Sequence, residues 1–178
     1  WVNDTTYVAK FKEKANVTIS YVTDGNGTVS RDSDTVAPAT GNVAEKVTAE
    51  PISNEYRFVN WTVDGKVVSE NAELDVVTIN LNAKENGIYK ATTFTANFEK
   101  KAKFDVTGTI DHGNVTNGSQ KVIDGEPSEA IVFTAENGYY IKEVKVNGTA
   151  VKDLAENAES YTFAALEKVI ENVTVEAV

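Results

Sequence analysis

The sequence predicts a mainly β chain made of tandem small β-rich modules, with at most short helical turns. Three observations predict it. The first is alternation. In Tyr56-Arg57-Phe58-Val59-Asn60-Trp61-Thr62-Val63-Asp64-Gly65-Lys66-Val67-Val68 the large apolar residues are Tyr56, Phe58, Trp61 and Val63, with a slip between Phe58 and Trp61. Asp64-Gly65 closes the run, and Asp-Gly between two β-rich arms signals a tight hairpin because both residues tolerate φ > 0. The second is recurrence. Tyr139 to Val151 aligns on Tyr56 to Val68 without a gap, so that Ile141 matches Phe58, Val144 matches Trp61, and Asn147-Gly148 matches Asp64-Gly65. A pattern repeated together with its turn means tandem units. The third is composition: Thr, Val and Asn abound and only 3 residues are Pro, as in strands and turns.

Composition also bounds function. With 178 residues, 41% of them hydrophobic, the chain can bury one core or two small ones. It carries 27 acidic against 17 basic residues, a formal charge of -10. That balance disfavours nucleic-acid binding, which needs clustered Lys and Arg, and docking on an anionic leaflet. No apolar run is long enough to span a bilayer and no signal peptide is evident. There are no cysteines and no methionines, so disulfides and thiolate metal sites are excluded.

Taken in order, residues 1–14 read as the last strand of a preceding repeat, with Tyr7, Ala9 and Phe11 on one face. Phe94, Ala96 and Phe98 repeat that pattern, and Val173, Val175 and Ala177 repeat it more loosely. Residues 15–100 form repeat one and 101–178 a diverged repeat two. Each opens with a strand, Val17 to Thr23 and Phe104 to Ile110. A turn follows, Asp24-Gly25-Asn26-Gly27 and Asp111-His112-Gly113-Asn114, then a short return strand. Polar loops are expected over 31–42 and 117–128, and further strands over 45–49 and 130–135. After the hairpin, Glu70-Asn71-Ala72-Glu73 reappears letter for letter as Glu156-Asn157-Ala158-Glu159. A strand is expected at 74–81, matched by 160–163, with single helical turns at 153–159 and 164–170. The last strand closes each unit. The joints Lys12-Glu13-Lys14-Ala15 and Glu99-Lys100-Lys101-Ala102 are equally spaced, charged and free of Gly, Pro and Ser, so neither reads as a flexible linker. They lead to the expectation of separate cores packed end to end in an elongated monomer.

Three of these stretches carry a resemblance. Val47-Thr48-Ala49-Glu50-Pro51, Tyr56-Arg57-Phe58-Val59-Asn60-Trp61 and Tyr7-Val8-Ala9-Lys10-Phe11 resemble the divergent internalin-type B-repeat of bacterial surface proteins. Its usual pattern is a V-T-L-T-A-like strand, a G-Y-x-F-x-G-W hairpin and a terminal Y-x-A-x-F strand. Asn60 stands where a glycine usually precedes the Trp, and Val144 replaces the Trp in repeat two. The resemblance implies a small β-rich module, β-grasp-like or a small β-sandwich, used in tandem on large exported proteins of Gram-positive-type bacteria. It carries over no catalytic, cofactor-binding or metal residue.

Few residues point to chemistry. His112, the one histidine, reads as a turn residue beside Asp111, and no G-x-S-x-G elbow accompanies it. Asp24-Gly25-Asn26-Gly27 and Asp32-Ser33-Asp34 have oxygen ligands suited to calcium but lack the full series with its terminal bidentate Glu, so turn and solvated loop are expected. A glycosidase carboxylate pair cannot be read from spacing. Trp61 is expected in the core. Tyr140 or Arg57 would be the exposed contacts of a binding surface. No Lys–Asn isopeptide bond is expected. The expectation is therefore a non-catalytic stalk or adhesin segment outside a bacterial cell, in the wall or secreted, needing no cofactor. Its partners would be host or cell-wall proteins or glycans. The alternatives are a specific ligand-binding module and an accessory domain of a surface enzyme.

Overall fold

The computed structural model describes residues 6–178, and the chain divides into two compact units between Lys100 and Lys101. The first five residues of the segment expected as a preceding strand lie outside the described residues. The rest of it, through Asn16, forms no strand in this chain. Tyr7 and Phe11 are 90% and 95% exposed, and no neighbouring strand pairs with them among the described residues.

The first unit runs β1 (Val17–Thr23), β2 (Gly27–Val29), β3 (Ser33–Val36), β4 (Val47–Pro51), β5 (Tyr56–Val63), β6 (Lys66–Ser69), β7 (Glu73–Leu74), α1 (Val76–Asn82), β8 (Lys84–Glu85), β9 (Ile88–Tyr89) and β10 (Thr92–Lys100). Its larger sheet has the order β3-β1-β10-β5-β6, and a second sheet has the order β2-β4-β7. The first and last long strands are paired in parallel at the centre, with Ile19 opposite Thr92; the remaining pairs are antiparallel. This is the β-grasp-like sheet arrangement, with a small sheet contributing to the core. Ile19, Tyr21, Trp61, Phe94 and Ala96 from the larger sheet and Val47, Ala49 and Leu74 from the smaller one form a single buried cluster, because period-two alternation sends every second side chain of each strand to the same face.

The second unit runs β11 (Lys103–Ile110), β12 (Gly113–Thr116), β13 (Ser119–Ile123), β14 (Ile131–Ala135), β15 (Val144–Val146), β16 (Thr149–Ala150), β17 (Ser160–Phe163) and β18 (Val173–Ala177). Its sheets have the orders β13-β11-β18-β15-β16 and β12-β14-β17, matching the first unit's two larger sheets strand for strand; α1 and the β8–β9 pair of the first unit have no counterpart. The registers agree: Val106 lies opposite Val173 in parallel as Ile19 does opposite Thr92, and Val144 opposite Ala177 as Trp61 does opposite Ala96. A separate cluster around Val106, Ile131, Phe133, Ile141, Val144 and Val175 forms its core.

The hairpin turns follow from their residues. Asp64 and Gly65 have φ of 49° and 74°, and Asn147 and Gly148 have 47° and 78°, the double positive φ of a type I′ turn. The slip before Trp61 is a β-bulge: Phe98 pairs with Phe58 and Asn97 with Asn60, so Val59 is the extra residue. Asn60 accepts from the Asn97 side-chain amide at 2.9 Å, which gives the residue in the usual glycine position a structural role.

Four expectations are corrected. The strand expected at 74–81 is β7 followed by α1. Asp75 caps the helix, its carboxylate accepting from the Thr78 amide at 2.7 Å and the Thr78 hydroxyl at 3.0 Å, and α1 buries Ile79; capping and burial override the β propensity of Val76-Val77-Thr78-Ile79. The helical turns expected at 153–159 and 164–170 are irregular instead, and Val169 packs into the core on its own. The polar loops contain β3 and β13, sheet-edge strands that each bury one apolar residue, Val36 and Val122, and whose polar character suits an edge. The two identical tetrapeptides are not equivalent. Pairing sets Leu74 opposite Val47 and Phe163 opposite Ile131, so Glu73 directly precedes the core residue while Glu159 stands further back.

One exchange shows how the second core diverged. The registers make Tyr21 the counterpart of Gly108 and Ala49 that of Phe133. Repeat one places its ring on the first strand and a small residue on the facing sheet; repeat two reverses them. A Cβ on Gly108 would come within 2.7 Å of Ile131 Cγ2 and 3.0 Å of the Phe133 ring, so the glycine makes room for Phe133. Preserving total volume in this way keeps a core close-packed.

Candidate functional site

The polar residues singled out by sequence are mostly engaged by the fold. Asp24 holds its own turn, accepting the Asn26 amide at 3.0 Å through one oxygen and the Phe98 amide at 2.8 Å through the other. It therefore ties the first hairpin to β10 at Phe98, beside the bulge of β5. Asp34 is occupied too. It accepts the Tyr21 hydroxyl at 2.7 Å and two Arg31 nitrogens at 2.9 and 3.1 Å. The Arg31 guanidinium also donates to the carbonyls of Lys46, at 2.7 Å, and Glu45 and lies over the Tyr21 ring at 5.3 Å. Burial, together with the Asp34 carboxylate beside it, pushes the Tyr21 hydroxyl well above the ordinary tyrosine value. This is a structural cluster: a fork of N–H donors satisfies a carboxylate and two strand-end carbonyls. Arg31 and Asp34 stand three apart, a spacing that could have been read as an ion pair from the sequence.

Trp61 is fully buried, as expected, and its indole N–H donates to the Ala72 carbonyl at 3.2 Å. Arg57 is exposed and pairs with Glu99 at 2.5 Å; such a surface pair is worth at most about 1 kcal/mol.

His112 sits in the expected turn with φ 53°. Its ring stacks on Tyr139 at 4.2 Å and 8° between planes. Nε2 is 3.9 Å from Asp111 and Nδ1 is 4.0 Å from Glu136. Among the described residues no hydroxyl bonds to either ring nitrogen, so the arrangement lacks the nucleophile–base contact of a hydrolase. His112 also lines a cavity of about 110 Å³ together with Ile110, Asp111, Ala135, Tyr139, Tyr140, Ile141 and Val178. Tyr139 and Tyr140 are about half exposed. Sequence reasoning found the tyrosines and missed the cavity, which the ends of β11 and β14, the 111–112 turn, residues 139–141 and Val178 line together.

Other exposed apolar side chains gather on α1, where Val77 and Leu81 are 76% and 73% exposed and, four residues apart, share one helix face. Among the described residues no group of three or more His, Asp or Glu could hold a metal ion, and no helix is long and apolar enough to cross a membrane.

These features define a small β-rich repeat module whose surface carries apolar and aromatic side chains. Residues 17–102 match the family described as the divergent InlB B-repeat domain, and this stretch of the chain is an internalin B-repeat-like domain. That family points to a bacterial surface-protein repeat, and its repeat domains are typically not catalytic. The match falls on the first unit; the second is tied to it by the same order and register in the two larger sheets. No match was found among curated proteins or among solved structures.

Proposed function

We propose that the chain is a non-catalytic segment of a bacterial cell-surface or secreted protein, in which repeats act as spacer and adhesin modules outside the cell. The observation that carries this reading is the repeated topology itself: two units of one fold, each with its own core, follow each other with only Lys101 and Ala102 between β10 and β11. Directly concatenated modules suit extension by repetition. The polar groups support it as well, since Asp24, Asp34, Arg31 and Trp61 are committed to holding the fold. Limited proteolysis of intact producing cells tests the reading: peptides of this chain are expected in the released fraction. Release only after lysis would overturn it.

Within this reading, Val77 and Leu81 favour adhesion over spacing alone, because a pure spacer has no use for an exposed apolar pair. The partner would be a host or cell-wall protein or glycan. Beads coated with the protein are expected to bind host cells or cell-wall fragments, and Val77→Ser with Leu81→Ser to reduce that binding. Equal binding by the double variant would remove α1 from the contact.

A further inference from the structure

In the first unit the strand that opens the fold lies beside the strand that closes it. β1 and β10 run parallel over five registers, from Ile19 opposite Thr92 to Thr23 opposite Ala96. Each is flanked on its far side, β1 by β3 and β10 by β5, so the pair is internal to the sheet. Because the strands point the same way, the chain enters β1 at the end level with Thr92 and leaves β10 at the opposite end. Tension on the two flanks of the unit therefore pulls β1 and β10 past each other along their own axis. Parallel rungs are evenly spaced, so this sliding strains all of them together. Pulling the same strands apart from one end would break the rungs in turn. On the core face the pair is sealed by Ile19, Tyr21, Phe94 and Ala96, all buried, and Tyr21 stacks on Phe94, its partner in register, at 5.8 Å. Rungs kept from water on that side are the stronger for it.

We propose that the first unit is a tension-bearing clamp, in which the β1–β10 pair, lengthened by Asp24, holds the fold against force transmitted along the chain. Asp24 carries the ladder past the end of β1. Its N–H donates to the Ala96 carbonyl at 3.1 Å, and its carboxylate accepts the Phe98 N–H at 2.8 Å, a charge-assisted bond. This added rung lies at the end where tension enters β10 from the rest of the chain. Sliding β10 would also drag the Phe98 ring from its place over Gly27 and edge-on to Phe58 at 5.7 Å. The second unit repeats the arrangement of the strands: β11 and β18 are parallel over five registers, from Val106 opposite Val173 to Ile110 opposite Ala177, with β13 and β15 outside them. The clamp gives the spacer reading its mechanical content and rests on that reading for the source of the force.

Single-molecule pulling on the 178-residue protein tests the clamp. The chain has no cysteine, so cysteine pairs place the handles at chosen exposed alanines. Ala15→Cys with Ala102→Cys pulls β1 and β10 past each other. Ala15→Cys with Ala91→Cys pulls at the shared end of the same pair and peels it. Forced unfolding reads the barrier to unfolding, and sliding is expected to need several-fold more force than peeling. Asp24→Ala is expected to lower the sliding force and leave the peeling force unchanged, because peeling starts at the Thr92 end. Asp24→Asn, which keeps an uncharged acceptor, is expected to lower the sliding force less. A loss of stability alone would lower both forces. Similar forces in the two directions overturn the clamp, and an Asp24→Ala that lowers both alike, or neither, overturns the rung assigned to Asp24. These forces are read on the isolated protein, so their failure leaves the surface location standing, whereas peptides released only after lysis would remove the location and leave the clamp.

Discussion

Replacing Trp61 by Ala is the strongest single perturbation of the first repeat. The side chain has no exposed surface, belongs to the central cluster and lies 6.2 Å from the Phe58 ring. Truncating a buried Trp costs about 3–5 kcal/mol in lost transfer energy and residual cavity. The lost hydrogen bond adds little, because the Ala72 carbonyl keeps the Ala49 amide at 3.0 Å and stays satisfied. A domain of this size has a stability of roughly 4–13 kcal/mol at about 0.05–0.15 kcal/mol per residue, so Trp61→Ala removes from a quarter of it to all of it. At about 4–8 °C per kcal/mol, the melting temperature of the first repeat falls by roughly 12–40 °C. Scanning calorimetry resolves this if the two cores melt as separate transitions, and the transition of the second repeat should not move. Trp61→Val, which installs the residue found at Val144, is expected to cost less than Ala. A shift of only a few degrees for Trp61→Ala would refute the argument that this ring organises the core.

Two glycines separate the reasons for having a glycine. Gly65→Ala meets no atom within 4 Å but sits at φ 74°, so its cost is conformational, about 1–2 kcal/mol. Gly108→Ala has ordinary φ but no room; overpacking should cost about 1–3 kcal/mol, and Phe133→Ala should reduce that cost in a double-mutant cycle by thermal melting. Asp75→Ala should lower the melting temperature of the first repeat through loss of the helix cap. The backbone and side-chain hydrogen bonds to Glu13 and Asp75 hold both carboxyls below the ordinary carboxylate range. Their stabilising contacts are therefore present above the unfolded-state values and lost as pH falls through the lower folded values. The Ala39, Thr40 and Thr78 amide shifts followed by NMR should titrate with those lowered midpoints; midpoints at or above the ordinary values would contradict the hydrogen bonds.

The sequence made visible what alternation and turn chemistry encode locally. Val17–Thr23 appears at its expected bounds, and Asp64-Gly65 and Asn147-Gly148 form the turns their φ tolerance implies. Long-range pairing was not visible. Nothing in Ile19 or Thr92 announces a parallel partner, and β3 and β13 are too polar to show a period-two signal. α1 was hidden because β-branched residues spell a strand until the Asp75 cap and the burial of Ile79 are known. Asn86-Gly87, with φ of 52° and 78°, was a legible turn signal between β8 and β9 that the wider pattern obscured. The identity of residues 70–73 and 156–159 pointed to the wrong equivalence, since letters repeat without regard to which residue pairs with β4 or β14.

The central claim is that residues 101–178, beyond the family match, repeat the fold of the first unit. Cross-strand NMR contacts in the intact protein test it most directly. The account predicts parallel contacts between Val106 and Val173 matching those between Ile19 and Thr92, with Val144 opposite Ala177 as Trp61 is opposite Ala96. An antiparallel β11–β18 pair, or a β18 that pairs with a strand of the first unit, would contradict it.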